Sequence, residues 1–248
     1  TTAAGVRIVG PQSLGLMTPS EGLNLSYLPS LPPAGEVGLV SQSPGLSCTI
    51  IDYVTNAQCG FSHVIDPGFE QVLTVADYVD MLAFDRKTRC IVLYLESFQQ
   101  PRKLLSAIRL AAANKPVILL KGGQTPGSAD IVINNSGARE DEDGVMKRAL
   151  VRAGALLVTS LKELNYAVQA FAMRKDLASE LKALGAKKDF DFVTQQKGMF
   201  SFSGLNPEQV QRLKDEFGVY IVKSGRMCVA SLNKDNVKYT AEAIKEVL

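Results

Sequence analysis

Between residues 37 and 158 the chain carries five short apolar runs, each followed by a stretch of helical character. They are Val37-Gly38-Leu39-Val40, Phe61 to Ile65, Cys90-Ile91-Val92-Leu93-Tyr94-Leu95, Val117-Ile118-Leu119-Leu120 and Ala155-Leu156-Leu157-Val158. A strand wetted on one face alternates apolar and polar residues. These runs do not alternate, so both faces must be covered, as in a parallel sheet. Parallel strands need long crossovers, normally helical. The spacers supply them. Ser43 caps a helix with Pro44 at its first position, and Leu46, Ile50, Ile51 and Val54 give it an apolar face. Further helices are predicted over Val75 to Phe84, about Pro101 to Ala113, near Asp143 to Ala153, and from a Ser160 cap to about Ala172.

This pattern predicts an α/β fold, a flavodoxin-like doubly wound parallel sheet, over 37–172. Residues 1–36 are rich in Gly, Pro and Ser. Val6 to Val9 is read as a short strand, and Tyr27 to Gly35, with three prolines, as a linker. More than 30 residues of loop do not open a compact domain, so the segment is expected to be the remnant of a neighbouring domain plus a linker. Residues 173–248 predict a small α+β unit. It comprises a helix from about Met173 to Leu184, then strands Phe190 to Thr194 and Met199 to Phe202 joined by a Lys197-Gly198 turn. Asn206 and Pro207 open a helix to about Phe217. Strands Val219 to Val222 and Met227 to Ala230 and a helix from about Lys234 to Val247 complete it. The charge balance shifts modestly from slightly acidic before residue 172 to basic after it, which agrees with a boundary near Ala172.

Net charge is +2, from 27 basic and 25 acidic side chains. No basic stripe marks a nucleic-acid surface, and no run of roughly 18 apolar residues marks a membrane span. The segment Thr1 to Gly5 lacks the basic-then-apolar pattern of a signal peptide. Cys48, Cys59, Cys90 and Cys228 are widely spaced, and His63 is the only histidine. Neither a zinc site nor a disulfide framework is expected. Reduced thiols in a cytoplasmic protein are the plain reading.

Two segments invite ligand chemistry. Ser41-Gln42-Ser43-Pro44-Gly45 joins a strand to a helix N-terminus, where backbone N–H groups and the helix dipole favour phosphate. The same segment also reads as a capped β–α turn. Lys121 to Ser128, leading to Asn134-Asn135-Ser136-Gly137, is Gly-rich and follows the fourth run at the carboxyl end of the sheet, where ligands bind in such folds. It also reads as a surface loop. Glu96 ends the third run on the same edge. Glu140 to Asp143 reads as a helix-start charge cluster, and His63 as a core or edge histidine. Arg226, presented at a strand start after Ser224-Gly225, suits bidentate binding of a carboxylate.

Gly5-Val6-Arg7-Ile8-Val9-Gly10-Pro11, Leu14-Gly15-Leu16, Gly22-Leu23-Asn24 and Val40-Ser41-Gln42-Ser43 recur in order with Gly60-Phe61-Ser62, Leu93-Tyr94-Leu95-Glu96, Lys115-Pro116-Val117-Ile118 and Arg152-Ala153-Gly154. On these residues, 5–172 resembles the NDP-forming acyl-CoA synthetases and the bacterial protein lysine acetyltransferases built on the same scaffold. The resemblance implies that 1–36 is the end of a CoA-binding domain. It also implies a phosphohistidine site bordered by Ser41, Gln42, Ser43, Gly45, Glu96, Ser136 and Gly137. The family's Ser-His-Thr-Gly stretch is Asn134-Asn135-Ser136-Gly137 here, and its Gly-Pro-Asn-Cys turn is Gly10-Pro11-Gln12-Ser13. A second set of residues comprises Met173-Arg174, Gly198-Met199-Phe200-Ser201-Phe202-Ser203-Gly204-Leu205, Glu216-Phe217-Gly218-Val219-Tyr220 and Ser224-Gly225-Arg226. On these, 173–248 resembles the C-terminal end of aspartate and aromatic aminotransferases. That resemblance implies a carboxylate-binding Arg226, while the lysine that holds pyridoxal phosphate belongs to a part of that family not matched here.

The combined expectation is a chimera of two enzyme-derived segments. No catalytic residue and no metal ligand is expected, nor is pyridoxal phosphate. A residual CoA or phosphate site is expected in the first segment. Alternatives are a synthetase or acetyltransferase component acting with missing domains supplied in trans, and an aminotransferase fragment. Both resembled families commonly form oligomers, and apolar surface left by missing domains could drive a homo-oligomer; nucleic-acid and membrane partners are not expected.

Overall fold

The structure, a computed structural model, describes residues 5–123, 143–196 and 199–248. Contacts divide the chain into two units, 1–165 and 166–248.

The first unit is built on a seven-stranded sheet. Its strands are β1 (Gly15–Thr18), β2 (Leu23–Ser26), β3 (Ala34–Ser41), β4 (Phe61–Ile65), β5 (Cys90–Leu95), β6 (Val117–Lys121) and β7 (Leu156–Val158). The order is β2-β1-β4-β3-β5-β6-β7. β4, β3, β5, β6 and β7 run parallel, in register Val40↔Ile65, Val40↔Leu93, Leu93↔Leu119 and Leu119↔Leu157. The five apolar runs are therefore the five parallel strands of a flavodoxin-like α/β sheet, and the order reverses between β3 and β5. Crossovers are α1 (Pro44–Asn56), α2 (Val75–Phe84), α3 (Pro101–Ala112) and α4 (Asp143–Arg152).

Every residue of β5 is buried. Ile91, Leu93 and Leu95 join one cluster with Val79 and Leu82 of α2, Ile108 of α3 and Leu150 of α4. Val92 and Tyr94 point to the opposite face and are buried there too. α1 contributes buried Ile50, Ile51 and Val54, while Leu46, expected on that face, is only half-buried.

The N-terminal segment departs from expectation. Val6 to Val9 forms no strand, whereas β1 and β2, in a stretch read as irregular, extend the sheet by antiparallel pairing of β1 to β2 and to β4. The segment read as a linker gives up its last residues, Ala34 and Gly35, to β3. These strands are short and interrupted by turn residues, so they lack the continuous apolar signal; pairing to an existing edge supplies their stability.

The second unit contains most of α5 (Leu161–Ala183), which continues without a break through the two helices expected on either side of residue 172. No Gly or Pro interrupts 161–183, so nothing stops the helix. It also contains α6 (Asp191–Thr194), β8 (Phe200–Phe202), α7 (Pro207–Phe217), β9 (Arg226–Cys228) and α8 (Val237–Val247). Its own core joins Met173, Leu177 and Leu181 of α5 with Leu213 of α7, Val229, and Ala241 and Ile244 of α8. Asn206 caps α7 by accepting the Gln209 N–H at 2.8 Å.

Three strand expectations are corrected here. Phe190 to Thr194 is a helical turn. Asp189 Oδ1 accepts the Asp191 N–H at 2.8 Å and Thr194 Oγ1 donates to Asp191 O at 2.6 Å, so local side-chain bonds replace a ladder. Val219 to Val222 pairs with no strand: the Val219 N–H closes the end of α7 on Leu213 O at 3.0 Å, and Val222 sits in the turn that returns to Arg226. Met227 to Ala230 gives way to a shorter β9 followed by a 3₁₀ turn at Val229–Ser231. The last helix starts at Val237 rather than Lys234, because Asn233 Oδ1 holds the Asp235 and Asn236 N–H groups in a turn. Lys197 and Gly198 lie outside the described residues.

Two substitutions test these cores. Gly60 lies against the start of β3, where an added Cβ would fall 2.3 Å from Ala34 O. Gly60→Ala should cost about 1–3 kcal/mol of stability by overpacking, read as a lower urea midpoint. An unchanged midpoint would refute this contact. In the second unit Arg174 is buried, its Nε donating to Ser201 Oγ at 2.8 Å and an Nη to Phe200 O at 3.0 Å. Arg174→Ala strands those acceptors and should cost about 1–3 kcal/mol, measured by denaturant unfolding of the whole chain.

Candidate functional site

The reversal between β3 and β5 opens a crevice at the carboxyl ends of the strands. A depression of about 220 Å³ lies there, lined by residues that include Gln12, Gln42, Ser43, Glu70, Glu96 and Ser97.

Gln42 ties it together. Its own N–H continues the sheet to Tyr94 O at 3.1 Å. Its side-chain Oε1 accepts from two successive backbone groups, the Glu96 N–H at 2.6 Å and the Ser97 N–H at 3.0 Å. Its Nε2 donates to Glu70 Oε1 and, at 3.3 Å, to Ser97 O. Two donors on one end and two acceptors on the other fix the amide's orientation. One side chain thereby joins the loops that follow β3, β4 and β5.

Ser41 is fully buried beneath this, its Oγ donating to Ser43 O at 3.1 Å and accepting the Ser43 N–H at 3.2 Å. It shapes the turn and does not line the depression. Ser43 caps α1, its Oγ accepting the Leu46 N–H at 3.4 Å. Gly45 sits exposed in the first turn of α1, with open space where a Cβ would stand. Thus Gln42, Ser43 and Glu96 converge, while Ser41 and Gly45 flank them. Ser136 and Gly137, with the rest of 124–142, lie outside the described residues, as do Glu140, Asp141 and Glu142.

Sequence reasoning missed Glu70. Its Oε2 accepts the Val75 N–H at 2.8 Å at the start of α2, and its backbone adopts φ +53°. The Asp66-Pro67-Gly68 turn after the second run was the available signal, since that run neighbours the first in a doubly wound sheet. Asp66 is wholly buried and accepts the Leu14 N–H and the Gly68 N–H, both at 2.9 Å. A Cβ on Gly68 would lie 2.2 Å from Pro11 O, which is how closely the Gly10-Pro11-Gln12 turn packs on this loop.

Electrostatically the depression is a carboxyl site. Burial raises Glu70 above the usual carboxylate range, against the opposing bonds from Val75 and Gln42. Burial raises Asp66 likewise. Burial also raises Glu96, although the Tyr94 hydroxyl (3.3 Å from Glu96 Oε1) and the charge of Lys121 act the other way. Lys121 is buried at the end of β6; its Nζ donates to Gly122 O at 2.8 Å and lies 5.6 Å from the Phe98 ring centre.

His63 is remote from this cluster. Its Nδ1 lies 3.5 Å from Asp85 Oδ2, and burial lowers its pKa more than Asp85 raises it. Arg226 belongs to the second unit. It is cross-strand from Phe202, and its guanidinium stands 4.4 Å from the Phe200 ring centre. With Gln196, Met199, Phe200 and Ser224 it lines a depression of about 410 Å³.

A carboxyl group raised by folding contributes stability present at low pH and lost as pH rises through its folded value. Glu96→Gln keeps the acceptor for Tyr94 and removes the titration. Relative to wild type the variant should gain stability as pH rises from about 4 to 7, followed by chemical denaturation at each pH. Parallel pH profiles for the two proteins would contradict this.

Comparison with known proteins gives two matches. The family described as succinyl-CoA ligase like flavodoxin domain matches residues 34–171. The family described as aminotransferase class I and II matches 150–244, overlapping the first over 150–171. The ADP-forming acetate–CoA ligase of Methanocaldococcus jannaschii is 29% identical over 174 residues, which cover 70% of this chain and 25% of the ligase. The aspartate aminotransferase of Pseudomonas aeruginosa is 55% identical over 76 residues, covering 31% of this chain and 19% of the aminotransferase. Among solved structures, a dinucleotide-forming acetyl-coenzyme A synthetase 1 of Ca. Korarchaeum cryptofilum, in complex with phosphate and ADP, superposes with TM-score 0.68 at 19% identity. It covers 97% of this chain and 53% of its own, and the likeness is one of fold. The chain spans a quarter or less of the curated relatives it matches. No helix among the described residues is long and apolar enough to cross a membrane. With more than half its length matched and the sheet order of that fold, the chain belongs to the succinyl-CoA ligase like flavodoxin domain family, and it continues into an aminotransferase-like segment.

Proposed function

We propose that this chain is a non-catalytic, cytoplasmic chimera. Its acyl-CoA synthetase-like unit binds CoA or phosphate at the carboxyl-end depression, and its aminotransferase-like segment offers a carboxylate contact at Arg226. The observation that carries the reading is the position of the one histidine. His63 lies beside Asp85, where the chain leaves α2 to enter β5 at its amino end, and the depression gathers at the strands' carboxyl ends. A phosphohistidine intermediate, the kind the resemblance implies, carries its phosphoryl group on an imidazole nitrogen. The stretch Asn134-Asn135-Ser136-Gly137 offers amides, whose nitrogen lone pair is delocalised into the carbonyl.

Support for a ligand comes from the place of the depression, at the order reversal where open α/β sheets bind theirs, and from the acetate–CoA ligase likeness. The alternative of a component working with further domains draws on the short span of that match, a quarter of the ligase.

A thermal-shift panel of CoA, acetyl-CoA, ATP, phosphate, pyridoxal phosphate and aspartate tests the binding claim. A ligand at about 100 times its Kd stabilises the fold by roughly 2.7 kcal/mol. CoA or phosphate should raise Tm; a flat response across the panel would remove the ligand site. Incubation with radiolabelled ATP should leave no acid-labile phosphoprotein, and stoichiometric labelling would overturn the non-catalytic reading.

A further inference from the structure

Two adjacent backbone N–H groups, those of Glu96 and Ser97, point at one oxygen just beyond the end of β5. Paired successive amides of this kind form a concavity suited to an oxyanion. The oxygen that fills it belongs to Gln42, a side chain of the same chain. We propose that these amides are an oxyanion-binding nest, that the Gln42 carboxamide occupies it in the unliganded protein, and that a phosphate group enters by displacing Gln42. The inference rests on the proposed phosphate site and changes the role of Gln42 within it from ligand to plug.

Gln42 Oε1 is the neutral counterpart of a phosphate oxygen. A charged oxygen accepts the same two hydrogen bonds more strongly, which favours exchange once the side chain swings away. The depression beside it is open to solvent, so water can donate to the displaced Oε1. Ser43 and the first turn of α1 border the same space and present the positive end of a helix. The Glu70 and Glu96 carboxyls, with Asp66 behind them, oppose entry when ionised, burial disfavours their ionisation, and the charge of Lys121 near Glu96 acts in favour of an anion. A lone ion and the terminal phosphate of a nucleotide or CoA share this chemistry.

The experiment is amide proton–nitrogen NMR with inorganic phosphate titrated into wild type, Gln42→Ala and Gln42→Asn. The asparagine falls about 1.5 Å short of the nest and serves if alanine loosens the loops; melting curves report folding of each. Phosphate should move the Glu96 and Ser97 amide signals and, in wild type, the Gln42 side-chain NH₂ signal. If the nest is open in about a tenth of wild-type molecules, removing the plug tightens phosphate about tenfold. Weaker binding in both variants would make Gln42 a ligand and overturn the plug while leaving the phosphate site standing. Tighter binding that leaves the Glu96 and Ser97 amides unmoved would also overturn it. No response in any of the three proteins would overturn the nest and the phosphate site together. Replacing phosphate with CoA separates the two sources: shifts at the same amides place the nest under a CoA phosphate, and shifts with inorganic phosphate alone assign it to the free ion.

Discussion

Burial of β5 on both faces is the constraint from which the first unit follows. A strand with six buried residues in succession cannot sit at a wet surface, so helices must cover each side, and covering both sides of one sheet requires the order to reverse beside it. Apolar packing and polar contacts thereby divide along the strand. Its length is given to Ile91, Leu93 and Leu95 on one face and Val92 and Tyr94 on the other. Polar chemistry is confined to its carboxyl end, where Glu96 and Ser97 emerge.

At that end one residue does the joining. Gln42 leaves β3 and meets the loops after β4 and β5, because parallel neighbours deliver their carboxyl ends to the same edge. The amide is suited to this, with an acceptor and a donor on one rigid plane. Burial meanwhile keeps Glu70, Glu96 and Asp66 reluctant to ionise. The result is a site built from hydrogen bonds and carboxyls, with Lys121 as the nearby cation that favours ionised Glu96.

The second unit has a core of its own, drawn from α5, α7, β9 and α8. Its buried Arg174 holds β8 from inside, and Arg226 lies on the outer face over Phe200. The two family matches overlap across 150–171. α5 runs through residue 172, where a boundary was expected, as one continuous helix.

The sequence by itself determined the five parallel strands, their crossover helices and the caps at Ser43 and Asn206. Continuous apolar runs and capping residues act locally, and nothing elsewhere in the chain competes with them. It also pointed to Gln42, Ser43 and Glu96, because strand ends at one edge are where such folds gather polar groups. Tertiary structure alone decided what short segments became. Gly15–Thr18 and Leu23–Ser26 are strands only because an edge of the sheet was free to pair with them. Phe190–Thr194 and Val219–Val222 are not strands, because side-chain and helix-end hydrogen bonds claimed their backbone first. Tertiary structure likewise decided that Glu70 faces Gln42 across 28 positions of sequence, a proximity set by strand order and invisible to any local pattern.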